Sequence, residues 1–166
     1  LKEVVPNRAH LALAQLEKKS GFKLAIITQN VDDLHERAGS TNVIHMHGEL
    51  RKIKNLKSGE IKYFEDSIEE PLYKIWRPDI VWFGEAVPAI EIAVPLVNSA
   101  DIFVVIGTSL NVYPAAGLIS YTKAGIPKFI IDPNEVYIPN ELSFTAIQKQ
   151  AGDGCVELKS KIQQYV

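Results

Sequence analysis

Three stretches of the chain are apolar without alternation, and each stops at a short polar turn. Lys23-Leu24-Ala25-Ile26-Ile27 runs into Thr28-Gln29-Asn30, Asp101-Ile102-Phe103-Val104-Val105-Ile106 into Gly107-Thr108-Ser109, and Lys128-Phe129-Ile130-Ile131 into Asp132-Pro133-Asn134. Continuous β-branched and aromatic runs mark strands covered on both faces. A fourth run, Asp79-Ile80-Val81-Trp82-Phe83, also has strand character. Helical patterns lie between these runs. Ala9, Ala12, Leu13 and Leu16 follow helical spacing, with Gly21 as a stop. Val31 to Ala38 reads as a short helix ended by Gly39, and Ala115 to Ala124 as a helix ended by Gly125. Ala89 to Ser99 is helical but carries Pro95, which kinks or breaks a helix. Glu157 to Tyr165 reads as a terminal helix. Strands alternating with helices predict an α/β fold with a mostly parallel sheet.

Residues Arg51 to Arg77 break the alternation. The stretch is polar and charged, and Ser58-Gly59 between Lys-rich arms predicts a small hairpin. We read 51–76 as a small insertion outside the main sheet, dividing a core domain made of 1–50 and 77–166.

Charge and cysteine content narrow the function classes. The net charge of −2 and the pI near 6.1 give no basic surplus for nucleic acid or an anionic membrane. The basic run from Arg51 to Lys57 reads as a solvated loop. Cys155 stands alone, so the chain can form neither an intrachain disulfide nor a multi-cysteine zinc site, which fits a reducing cytoplasm. The sequence has no membrane-length apolar run and no signal peptide. It starts at Leu1, in a polar segment, and we expect further residues to precede it.

In an open parallel sheet, ligands bind beyond the carboxyl ends of the strands. Here those ends deliver Gln29, Asn30, Val31 and Asp32, then Gly107, Thr108 and Ser109, then Asp132, Pro133 and Asn134. Amides, hydroxyls and a glycine permitting close approach suit a carboxamide or a ribose. Any one of these turns alone is more often a cap; three on one edge favour a nucleotide-like ligand. The G-x-G-x-x-G fingerprint is absent. Among the four histidines, His10 and His35 read as structural. His45 and His47 alternate, which puts both on one face of a strand. No ligand cluster accompanies them, so no metal is expected; His47, followed by Gly48, is the candidate general base, with a satisfied structural histidine as the other reading of the residues alone.

Four motifs together resemble the sirtuin (Sir2) family. They are Thr28-Gln29-Asn30-Val31-Asp32-Asp33-Leu34-His35, His45-Met46-His47-Gly48-Glu49-Leu50, Arg77-Pro78-Asp79-Ile80-Val81-Trp82-Phe83-Gly84-Glu85 and Gly107-Thr108-Ser109-Leu110-Asn111-Val112-Tyr113-Pro114-Ala115-Ala116, in the family's order. The resemblance implies a Rossmann-like, mostly parallel sheet with helices on both faces and a small insertion subdomain. It implies NAD-dependent removal of acyl groups from protein lysine, giving nicotinamide and O-acyl-ADP-ribose. Acetyl is the general expectation; the 45–50 motif is most similar to bacterial members related to desuccinylases. Carried over, His47 is the base, and Gln29, Asn30, Val31 and Asp32 line the nicotinamide and ribose pocket. Gly107, Thr108, Ser109, Asp132, Pro133, Asn134 and Cys155 hold NAD, and Val81, Phe83, Gly84, Glu85 and Val112 flank the acyl-lysine. Trp82 is expected in the core.

Departures from the family are as informative. The Gly-Ala-Gly phosphate-binding turn does not occur in these 166 residues, so we expect them alone to bind NAD poorly. No cysteine lies between the His47-Gly48 and Trp82-Phe83-Gly84 motifs, where many members carry four; a hairpin without zinc is expected there. Asp132 stands where the family often has Asn. The competing readings are a non-catalytic nucleotide-binding or protein-interaction module of the same fold, and a different ribosyl-transferring or nucleoside-cleaving enzyme.

Overall fold

In the computed structural model, residues 3–19, 21, 23–64, 68–69, 71–108, 113–136 and 143–165 are described. In chain order they form α1 (Arg8–Glu17), β1 (Ile26–Thr28), α2 (Leu34–Ala38), β2 (Val43–His45), β3 (Gly48–Asn55), β4 (Ile61–Tyr63) and β5 (Trp76–Ile80). Then come α3 (Ile90–Ser99), β6 (Phe103–Ile106), β7 (Lys128–Ile131), β8 (Thr145–Ile147) and α4 (Ala151–Ile162). Strand β1 pairs in parallel with β2, and β6, β7 and β8 pair in parallel with β7 central. Strands β3, β4 and β5 form a separate antiparallel sheet in the order β4-β3-β5.

The unbroken apolar run of β7 is explained by what covers it. Phe129 and Ile131 point to one face, where they join Ala9 and Leu16 of α1, Ile147 of β8, and Cys155, Leu158 and Ile162 of α4. Ile130 points to the other face, against Val105 and Ile119. A strand with helical cover on both sides needs apolar residues at every position, not every second one. A third cluster joins Met46, Ala93, Val97 and Leu118, with Ile27 of β1 and Phe103 of β6 packed against it. This cluster ties the β1–β2 sheet to the β6–β7–β8 sheet, so the polar ends of both face the same region.

The helix at 8–17 begins with a capping box: Asn7 accepts from Ala9 and His10 N–H groups, and His10 Nδ1 takes the Asn7 N–H at 3.2 Å. Pro95 is carried inside α3 rather than ending it. The Ser58-Gly59 hairpin forms, with Lys52 opposite Tyr63 and Lys54 opposite Ile61.

Four sequence expectations need correction. Ala115–Tyr121 is a 3-10 helix, not the α-helix expected to Ala124, and it is capped at Thr122. Helix α4 starts at Ala151, six residues before the expected Glu157. Glycine weakens helices, so Gly152 and Gly154 hid its first turns from a propensity reading. Packing overrides propensity there: a Cβ on Gly154 would stand 2.2 Å from Ile131 Cγ2. The fourth strand is shifted: β5 covers Trp76–Ile80, and Val81 to Glu85 leave the ladder in a turn. Trp82 is therefore 53% exposed instead of buried.

Candidate functional site

His47 lies in the two-residue turn between β2 and β3. The predicted alternation of His45 and His47 along one strand therefore stops at His45, because β2 ends there and the fully buried Met46 plugs the core behind the turn. Gly48 reverses the chain at φ +79°, and a Cβ there would stand 2.0 Å from the Asp79 carbonyl oxygen. Only glycine allows β3 to start this close to β5.

The turn is bonded to the loop that follows β1. The backbone carbonyls of Gln29, Asn30 and Val31 each accept one hydrogen bond from this direction. Their donors are His47 Nδ1 at 3.0 Å, His45 Nδ1 at 3.2 Å and the Leu50 N–H at 2.8 Å. A carbonyl can only accept, so the proton of His47 sits on Nδ1 and Nε2 is left with its lone pair. This is the tautomer a general base needs. His45 was not assigned a role from sequence. The structure makes it a prop beneath Asn30, with Nε2 also 2.9 Å from Glu36 Oε1.

The remaining predicted nucleotide contacts sort into two groups. Gln29 and Thr108 are brought together, with Gln29 Nε2 donating to Thr108 Oγ1 at 3.4 Å, so the ends of β1 and β6 meet. Gly107 follows β6, and nothing among the described residues lies within 4 Å of where its Cβ would be. Asp32 and Asp132 spend hydrogen-bonding capacity locally: Asp32 Oδ1 accepts from Leu34 N–H at 3.1 Å, and Asp132 Oδ1 from Asn134 N–H at 2.8 Å. Pro133 and Asn134 are exposed beyond β7. Cys155 is 3% exposed, its thiol turned into the core between α4 and β7. Burial pushes that thiol up to about 11. Ser109 and Val112 lie outside the described residues.

A separate cleft of about 260 Å³ opens between α2 and the antiparallel sheet, lined by Val31, Asp32, Asp33, Glu36, Arg37, Glu49, Arg51 and Tyr63. Burial pushes the Asp33 carboxyl upward, but the hydrogen bond and charge of Arg51 outweigh it and hold it below the usual range. On the far side, Val81 is half-buried, Trp82 to Glu85 are exposed, and Phe83 is fully in solvent. Among the described residues, no group of three or more His, Cys, Asp or Glu side chains could hold a metal ion.

Against known proteins, the profile of the Sir2 family matches residues 1–114. The chain belongs to the Sir2 family. An NAD-dependent protein deacylase of Bacteroides thetaiotaomicron is 47% identical over 170 residues, covering 96% of this chain and 72% of the relative. One of Helicobacter pylori is 49% identical, covering 80% of this chain and 59% of the relative. The chain thus spans between roughly three-fifths and three-quarters of these Sir2 relatives. A Sir2 homologue solved with ADP-ribose superposes with a TM-score of 0.84 at 37% identity, covering 98% of this chain and 69% of that one. A Sir2 protein bound to an acetylated peptide superposes with a TM-score of 0.82 at 30% identity, covering 96% and 71%. The fold is the Rossmann-like α/β fold of that family.

Proposed function

We propose that this chain carries the histidine-bearing half of the active site of an NAD-dependent protein-lysine deacylase. The observation that carries the reading is the Nδ1 contact of His47 with the Gln29 carbonyl, 3.0 Å away, beside the Gln29–Thr108 junction. A pure binding module has no use for an imidazole fixed with its basic nitrogen outward.

The donor set fits NAD. Gln29 offers an amide, Thr108 a hydroxyl, and Gly107 open space for close backbone approach. When bound, NAD would supply the electrophilic ribose carbon and nicotinamide as leaving group. His47 Nε2 takes the proton from a ribose hydroxyl, and Nδ1 stays pinned to Gln29. Gln29, Asn30, Val31 and Asp32 line the nicotinamide side. Gly107, Thr108, Ser109 and the Asp132-Pro133-Asn134 turn line the remainder. Cys155, whose thiol is buried in the core, is assigned to NAD by the family resemblance alone. We assign the acyl-lysine peptide to Val81, Phe83 and Gly84, with Glu85 closing that segment, and by family resemblance to Val112. Edge pairing of an extended peptide would supply its backbone bonds.

The same reading makes 51–76 a zinc-free insertion on a core of 1–50 and 77–166, and places the protein in the cytoplasm with acylated proteins as partners. The single cysteine supports both the zinc-free insertion and the reducing compartment. The test is turnover of acetyl- and succinyl-lysine peptides by the intact protein, with and without NAD. His47→Tyr should abolish NAD-dependent turnover. Retained turnover would remove His47 from the base role.

A further inference from the structure

Arg77, on β5, is joined to Glu85, eight residues later, by a two-pronged ion pair. Nη1 donates to Oε1 at 2.7 Å and Nη2 to Oε2 at 2.8 Å. Oε2 also accepts the Trp82 N–H at 3.1 Å, and the Glu85 N–H donates to the Trp82 carbonyl at 3.0 Å. The four-residue turn from Trp82 to Glu85 is thereby closed by the side chain and backbone of one residue. Gly84 occupies the left-handed region inside it, at φ +88°.

The apolar side chains of this turn are not buried in the core among the described residues. Trp82 is half exposed and Phe83 fully so. Arg77 also leaves its buried Nε without a partner among the described residues. A half-exposed pair adds little global stability, and an unpartnered buried N–H subtracts from it. What a two-pronged guanidinium–carboxylate contact supplies instead is fixed geometry.

We propose that Arg77 and Glu85 are positioning residues, a latch that preforms the Val81–Gly84 segment for the acyl-lysine peptide without touching it. Glu85 thus acts inside the protein rather than as a direct peptide contact. The inference rests on reading this segment as the substrate-binding one.

The test is steady-state kinetics on the intact protein with Glu85→Gln, Arg77→Gln, Arg77→Lys and Phe83→Ala. Either Gln variant should raise the peptide KM about fivefold to tenfold while kcat and the NAD KM move less than about twofold. Arg77→Lys keeps the charge but loses the fork, and should fall between. Circular dichroism and melting should show all four folded. If Phe83→Ala raises the peptide KM and the Gln variants do not, the latch is wrong. If Phe83→Ala leaves the peptide KM unchanged, the substrate-segment reading itself is wrong. An equal fall of kcat/KM for peptide and for NAD in the Gln variants would make the pair merely structural and overturn the latch.

Discussion

The carbonyl of His47 accepts the backbone N–H of Val81 at 2.9 Å. The candidate base and the first residue of the candidate substrate segment are thus adjacent through the main chain. One rung away, Gly48 faces Ile80. The separation of the His47 turn from the Val81 segment is therefore set by main-chain pairing.

Gly48→Ala should break this relation. The added Cβ meets backbone atoms of Asp79 and Ile80 at 2.0 to 2.9 Å in a left-handed conformation, so β3 and β5 must separate. We expect a stability loss of about 3 kcal/mol in urea unfolding. Turnover should fall even below the temperature at which the variant melts.

His47 should be protonated at Nδ1 when neutral. Long-range proton–nitrogen correlation spectra of the imidazole report this directly. An Nε2–H pattern would contradict the Gln29 contact and leave no basic nitrogen facing the cleft.

The packed pair of buried His10 and half-buried His35 should make stability depend on pH. Their rings are 4.7 Å apart, and His35 Nδ1 is buried without a partner among the described residues. Burial lowers both below 6.5; Asp32 opposes this for both, as does Glu36 for His35. The folded state therefore holds fewer protons than the unfolded chain just below pH 6.5. Stability should fall as pH drops through 6.5 and level off below the folded values. The urea midpoint across that window measures it, and His35→Gln should flatten the slope. Carboxylates held low by their partners, such as Asp33 and Glu17, lose their contribution only at more acidic pH.

Cys155 should resist thiol reagents in the native protein, because it is buried and its thiol is raised to about 11. Labelling should track global unfolding in denaturant. Gly154→Ala, pushing a methyl group onto Ile131, should lower stability by about 2 kcal/mol and speed labelling with it.

The parallel strands β1, β6 and β7 were legible because burial writes itself as an unbroken apolar run, and β7 matches Lys128–Ile131 to the residue; β8, exposed at Thr145 and Ala146, was not. The hairpin was legible from Ser58-Gly59 because turn chemistry is local. The end of β5 was not. Val81-Trp82-Phe83 has strand composition, but the Arg77–Glu85 pair and Gly84 pull it into a turn, and opposite charges eight apart leave no periodic trace. At the site, the residues at the strand ends could be listed from the motifs. The pairing of three successive carbonyls with the 45–50 segment could not, since no pattern in a sequence says which backbone group a histidine ring will meet.

That pairing constrains recognition. Gln29, Asn30 and Val31 each commit a main-chain lone pair to a protein donor, so a sugar or amide bound as proposed would meet their side chains on this wall. Selectivity would then reside in replaceable side-chain termini, and exchanging Gln29 or Asn30 should retune the guest while the floor beneath stays put.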